Sequence, residues 1–324
     1  MTKPLLPIGF YDLLGEQAIA NHRNTNQILE VFFQEGYQLI KTPLLEFAEN
    51  FSADNLANNF YTVDSISGKN LIIRNDITLQ ISRLLSGRLQ TANLPLKICY
   101  VGDVFYAKNN ELYPDRQQTQ LGIEIIGSSE VATQLNVLNT LLTALHGLKL
   151  QNLLISITLP DFMSVFFAEI ISKTNIGKTS ISSQQQQALK QAIYQKNISG
   201  IKEIAKQNNI NHDFIDSLTI LILEHQDLHK ISEILNNFHC PALNWQLHLL
   251  QEIDLFLQQN FSSLLKTYDI FGDNHFDYHK NIAFDIFCPN FNYAIAKGGC
   301  YQVQNSLEMA VGATIYANHL RKIL

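Results

Sequence analysis

Charge is scarce in this 324-residue chain: 16% of its residues are charged, and no stretch gathers Lys and Arg densely enough to follow a phosphate backbone. With 23 basic against 29 acidic residues and a formal charge of -6, bulk electrostatics argue against nucleic acid as a partner. Long apolar runs are missing as well. Nowhere do about eighteen apolar residues follow one another, so no membrane-spanning helix is expected. The opening MTKPLLPIGFYDLLGEQ has no apolar core ending in small residues, and we therefore expect no secretory leader and a cytoplasmic protein. Cysteine is sparse and dispersed. Cys99, Cys240, Cys288 and Cys300 form no Cys-x-x-Cys pair, which excludes the usual zinc and disulfide frameworks and predicts buried or half-buried thiols. His275, His279 and His319 are too scattered to suggest a metal site, so no metal and no cofactor is expected.

What the chain does have is a 46% hydrophobic composition, enough for a sizeable core in one large domain with an insertion or in two domains. Ile28, Leu29, Phe32 and Phe33 recur at helical spacing before Gly36, and the apolar run YQLIKTPLLEF is broken by Pro43, as suits a strand at a sheet edge. The segment NLIIRNDITLQISRLL reads as a strand, a turn with Asp76 as a candidate helix cap, and a helix carrying Ile77, Ile81, Leu84 and Leu85. LKICYVGDVFYA and TQLGIEIIG read as strands joined by a polar loop. A helix capped by Ser128 or Ser129 follows, then the strand NLLISITLP. From about residue 171 to 259 the chain turns Gln-, Asn- and Ser-rich with helical periodicity throughout. Past it, NIAFDIFCP and YAIAKGG read as strands and GATIYANHLRKIL as a helix.

Several residues have a bland role and a sharper one. Asp76 is a candidate cap and a candidate ligand contact, and the two roles are compatible. Glu124 lies inside the apolar strand LGIEIIG, where a carboxylate is costly unless paired, so it is expected to face a ligand or an ion-pair partner. Gly298 and Gly299 read as structural.

The ordered set PIGFYDLLGEQA, GYQLIKTPLLE, IIRNDITLQISR, the strand-loop-strand at 100–127, FDYHKNIAFDIF, KGGCY and AVGATIYANHL resembles the catalytic domain of class II histidyl-tRNA synthetases. The R-x-D-x-T form at Arg74 to Thr78, where synthetases have R-P-E-x-T, is most similar to the HisZ family, the regulatory subunits of ATP phosphoribosyltransferase, which do not charge tRNA. The resemblance covers nearly the whole chain outside the helical insertion. It implies an α+β fold, a class II synthetase-like antiparallel sheet flanked by helices. The expected divisions are a first synthetase-like part at 1–170, a helical insertion at 171–259 and a final synthetase-like part at 260–324.

For function, the resemblance implies that the arginines which stabilise adenylate formation fall on Tyr106, His319 and the neighbourhood of Asn274. No catalytic residue is then expected, because losing one fixed donor costs about 10²–10³ in rate. The amino-acid half is better kept. Asp76, Thr78 and Gln120 match residues that meet an α-amino group, Glu124 matches the carboxylate facing the imidazole, and Tyr278 or His279 matches tyrosines on the opposite side. Arg116 or Arg74 is a candidate for the ligand's carboxylate. KGGCY departs from the family's Gly-Gly-Arg-Tyr-Asp, with Cys300 and Gln302 replacing the arginine and aspartate. The implied role is a non-catalytic regulatory subunit partnering a short-form ATP phosphoribosyltransferase catalytic subunit in the first step of L-histidine biosynthesis, with histidine as feedback effector. The implied assembly is a homodimer, through Glu16 to Leu45, within a hetero-octamer. Two other readings are an active histidine-adenylating enzyme and a structural synthetase paralogue with an empty pocket.

Overall fold

The computed structural model describes residues 5–51, 58–85, 93–108, 115–171, 182–208, 210–237, 241–272, 279–303 and 306–324. The chain divides into two units, Met1–Gln151 with Phe291–Lys297 and Gln302–Leu324, and Asn152–Asn290 with Gly298–Tyr301. In the first unit, α1 (Gly15–Gln34) buries Ile28 and Phe32, one turn apart on one face. β1 (Gln38–Ile40) follows, and Pro43, which has no N–H to donate, stands where the chain leaves one sheet for another. β2 (Leu45–Phe47), β3 (Phe60–Val63) and β4 (Asn70–Ile73) form a small antiparallel sheet ordered β2-β4-β3. α2 (Thr78–Leu85) leads to β5 (Leu96–Phe105), β6 (Gln117–Ile126) and α3 (Val131–Gly147). The predicted serine cap of α3 is corrected: Glu130 holds the cap position without a side-chain bond, and the Ser128 hydroxyl pairs instead with that of Thr133 at 2.7 Å.

In the second unit, β7 (Leu154–Thr158) leads into α4 (Phe162–Val165) and a π-helical turn at Phe166–Ile171. Then come α5 (Ser183–Tyr194), α6 (Ile198–Gln207), α7 (His212–Leu223), α8 (Leu228–Asn237) and α9 (Pro241–Asn260). The starts of α5, α6 and α7 are written locally. Ser182 and Gln185 form a reciprocal capping box, and Asn197 and Asn211 accept from the backbone N–H of Gly200 and Asp213. β8 (Leu265–Tyr268) runs parallel to β7, and β9 (His279–Phe287) antiparallel to it. β10 (Ala296–Gln302) contributes residues to both units.

The C-terminal helix predicted from GATIYANHLRKIL is corrected in its first half. Gly312 to Tyr316 belong to β11 (Met309–Tyr316), and only α10 (Ala317–Leu320) is helical. Thr314, Ile315 and Tyr316 are β-branched or aromatic, and they pair with Gly122, Leu121 and Gln120 across the ladder. In the first unit β5 and β11 flank β6 antiparallel while β1 joins β5 in parallel. α1 and α3 pack on β6, and α3 also on β11. The antiparallel sheet with helices on it, predicted from the sequence, is the architecture observed. Among the described residues no helix is long and apolar enough to cross a membrane.

Candidate functional site

Successive residues of a strand point to opposite faces, so Gln120, Gly122 and Glu124 share one face of β6 and Leu121, Ile123 and Ile125 the other. The register adds Tyr100 beside Gly122 from β5, and Thr314 and Gly312 beside Gly122 and Glu124 from β11. Both glycines are required by close approach. A Cβ at Gly122 would collide with the Tyr100 ring, and one at Gly312 with the Glu124 carboxylate, so these two polar side chains lie flat across neighbouring strands.

The turn between β4 and α2 docks on this floor. The Thr78 hydroxyl donates to Glu124 Oε1 at 3.0 Å, the Ile77 N–H to Gln120 Oε1 at 3.4 Å, and the Thr78 N–H to Asp76 Oδ1 at 2.6 Å. Asp76 thereby serves the first turn of α2 as the expected cap. Burial pushes its carboxyl up to about 6, against hydrogen bonds from the Thr78 and Leu79 N–H groups and the Thr78 hydroxyl. Glu124, 1% exposed, has its carboxyl group inside the sheet's packing. Asp76, Thr78, Gln120 and Glu124 are thus brought together. Tyr100 and Thr314 were missed: the Tyr100 hydroxyl lies 2.8 Å from Thr314 Oγ1 and 3.3 Å from Thr78 Oγ1. Only strand register, not residue type, points to them.

The cations are engaged elsewhere. Arg74, 8% exposed, donates from Nε to the Asp103 carbonyl at 2.7 Å and from Nη1 to the Thr42 hydroxyl and carbonyl and, at 3.4 Å, to Gln80 Oε1, so it ties the turn after β4 to β5, to α2 and to the segment between β1 and β2. Arg116 Nε donates to the Tyr106 carbonyl at 3.0 Å, and its guanidinium lies 4.7 Å from the Phe60 ring centroid and 5.4 Å from that of Phe10. The Tyr106 hydroxyl keeps its proton, since burial and then the nearby Asp76 both raise its pKa. His319 is buried among the rings of Phe291, Tyr293 and Tyr316, with Nδ1 2.6 Å from the Ala294 carbonyl. Burial lowers its pKa and keeps the ring neutral. The floor is therefore rich in acceptors, the chemistry that receives an ammonium or a ring N–H.

In the second unit His279, 8% exposed, starts β9, and a Cβ at Gly299 would press on its ring and on the Ile282 carbonyl. Tyr278, Asn274, His275 and Cys240 lie outside the described residues. Cys99 and Cys300 are buried free thiols, pushed up by burial to about 11 and about 12, and Cys288 is half-buried and raised for the same reason. Among the described residues no group of three His, Cys, Asp or Glu could hold a metal ion.

A curated relative from Thermoanaerobacter pseudethanolicus, named ATP phosphoribosyltransferase regulatory subunit, is 26% identical over 299 residues, which span 91% of this chain and 75% of that one. The solved structure of an ATP phosphoribosyltransferase regulatory subunit/histidyl-tRNA synthetase from Bacillus halodurans superposes with a TM-score of 0.83 at 21% identity, over 99% of this chain and 84% of that one. A chain of the ATP phosphoribosyl transferase (HisG:HisZ) complex from Thermotoga maritima gives 0.70 at 18% identity, over 92% and 97%. These two likenesses bear on the fold. The family model described as histidyl-tRNA synthetase matches residues 9–323. With that match spanning almost its full length, the chain belongs to the histidyl-tRNA synthetase family.

Proposed function

We propose that this chain is a non-catalytic regulatory subunit of ATP phosphoribosyltransferase, acting with a short-form catalytic subunit in the first step of L-histidine biosynthesis in the cytoplasm. The observation that carries the reading is the divided polarity of the sheet face. Two carboxylates, a threonine and a glutamine converge there, while Arg74 is committed to backbone and Thr42, and His319 is neutral. Such a floor receives the ammonium and ring N–H of an amino acid, but it does not offset the charge that develops on a polyphosphate. That disfavours the adenylating alternative. Relatives bearing the regulatory-subunit name support the same reading.

Histidine is the effector in this reading. Asp76, Thr78 and Gln120 take its ammonium and Glu124 its imidazole. Its carboxylate goes to Arg116, whose guanidinium is stacked on Phe10 and Phe60 and keeps part of its surface open. The effect on the partner is linkage: a ligand that prefers one assembly state shifts the population toward it. The helices from residue 171 to 259 form an insertion in the synthetase-like framework. A homodimer forms through Glu16 to Leu45, within a hetero-octamer. Ile19, Phe33, Leu39, Leu44 and Leu45 leave 41–54% of their surface exposed along that segment, an apolar set suited to a partner.

The test is co-expression with a short-form ATP phosphoribosyltransferase catalytic subunit, then sizing and transferase assay with and without histidine. Co-elution, activity that depends on this chain and inhibition by histidine are expected. Separate elution with full activity of the catalytic subunit alone would refute the role.

A further inference from the structure

Strands β5 and β11 and the start of α2 assemble one hydrogen-bonded chain of side chains on the face of β6. Thr314 Oγ1, Tyr100 Oη, Thr78 Oγ1 and Glu124 Oε1 follow one another at 2.8, 3.3 and 3.0 Å. Each hydroxyl has one proton to give, and an ionised carboxylate only accepts. The Thr78 hydroxyl reaches two carboxylates, Glu124 and Asp76. Whichever takes its proton, Thr78 offers Tyr100 only lone pairs. Tyr100 stays protonated, because burial, Glu124 and Asp76 all oppose its ionisation. It therefore donates to Thr78, and Thr314 donates to it. Three O–H dipoles point the same way and polarise one another toward the acidic pair. The edge of the Tyr100 ring and its hydroxyl oxygen both lie over Gly122, so the same close approach that seats the ring holds the hydroxyl at the chain.

We infer that Tyr100 is a positioning residue of this site: backed by Thr314, its hydroxyl aims that of Thr78 and holds the Asp76 and Glu124 carboxylates as fixed acceptors for a ligand bearing an ammonium and a ring N–H. The ligand named here rests on the proposed function; the hydrogen-bonded chain does not. Sequence periodicity cannot reveal it, since its members come from positions 78, 100, 124 and 314 and meet only through register.

The experiment uses the whole chain as wild type, Tyr100→Phe and Thr314→Val, with two readouts. The first is the carboxyl titration of Glu124, followed by carbon NMR on protein carrying carboxyl-labelled glutamate and assigned with Glu124→Gln. Removing the Tyr100 hydroxyl is expected to raise that titration by about one pH unit, and Thr314→Val to raise it less. The second is calorimetric titration with L-histidine at pH 7, in which Tyr100→Phe is expected to bind about tenfold more weakly. A Glu124 titration identical in all three proteins overturns the inference, whatever histidine does. A shifted titration in a protein that takes up no histidine leaves the positioning role standing and sinks the amino-acid reading. Should Tyr100→Phe fail to fold, Thr314→Val carries the same test with the ring in place.

Discussion

Between Ser182 and Asn260 the helices bury Leu189, Ile201, Leu218, Ile231 and Leu250, and their interior is almost wholly apolar. Along β6 the buried residues include Gln118, Gln120 and Glu124. A helix sets its own inward face through spacing of three and four residues, so its core can be purely aliphatic and its caps local. A strand has no such autonomy. Its buried polar groups are tolerable only where other segments bring partners, as Thr78 does for Glu124 and Ile77 for Gln120. Polar burial on the sheet therefore needs partners from other segments, while apolar burial in the helices needs only packing.

Four predictions can break or sharpen that contrast, in descending order of effect. Leu218→Ala, at a fully buried helical position, is expected to cost about 2–5 kcal/mol in urea unfolding and to leave histidine affinity unchanged. Gly122→Ala should cost about 1–3 kcal/mol, because its Cβ has no room beside the rigid Tyr100 ring, and should abolish histidine binding by calorimetry. A variant that binds normally would mean that the floor is not built as described. Ser182→Ala removes the capping box of α5 and should cost about 1 kcal/mol, again without touching histidine affinity.

The smallest effect is a pH dependence. Asp76 titrates near 6 in the fold against an ordinary value of 3.8, so the folded state binds its proton more tightly than the unfolded state does. Its ionised form costs stability above pH 6, and the cost is relieved as pH falls from 6 toward 4. Asp76→Asn should therefore be more stable than wild type at pH 8, with the difference gone near pH 4. Histidine binding by wild type should weaken as pH drops through 6, and comparison with Asp76→Asn separates that from titration of the ligand's own ring. His319 acts in the opposite sense. Its lowered pKa means that the unfolded chain takes up the proton first, so stability is lost as pH falls through the ordinary histidine range. Urea curves from pH 4 to 8 in Asp76→Asn and His319→Gln resolve the two.

Much of the helical region could be read directly. Ala188, Leu189, Ala192 and Ile193 recur at helical spacing, and the structure buries all of them but Ala188 on one face of α5. Asp76 could be read as a cap because its acceptors serve N–H groups two and three residues on. The segment GATIY could not. Over five residues a strand and a helix offer the same apolar content, and pairing with β6 decides between them. Arg116 could be read as a charge available for a carboxylate, while its stacking on Phe10 and Phe60 depends on three distant segments meeting.

By itself the sequence determined the helical periodicity of the region after 171, the pattern of strands around 96–126 and the family, because each is encoded in residues close together along the chain or in an ordered series of motifs. Tertiary structure alone decided which hydroxyls serve the buried carboxylates, which arginine is consumed as a strut and that Tyr100 lies across Gly122. Those outcomes depend on strand register, and register is settled by burying a whole face at once rather than by the preference of any one residue.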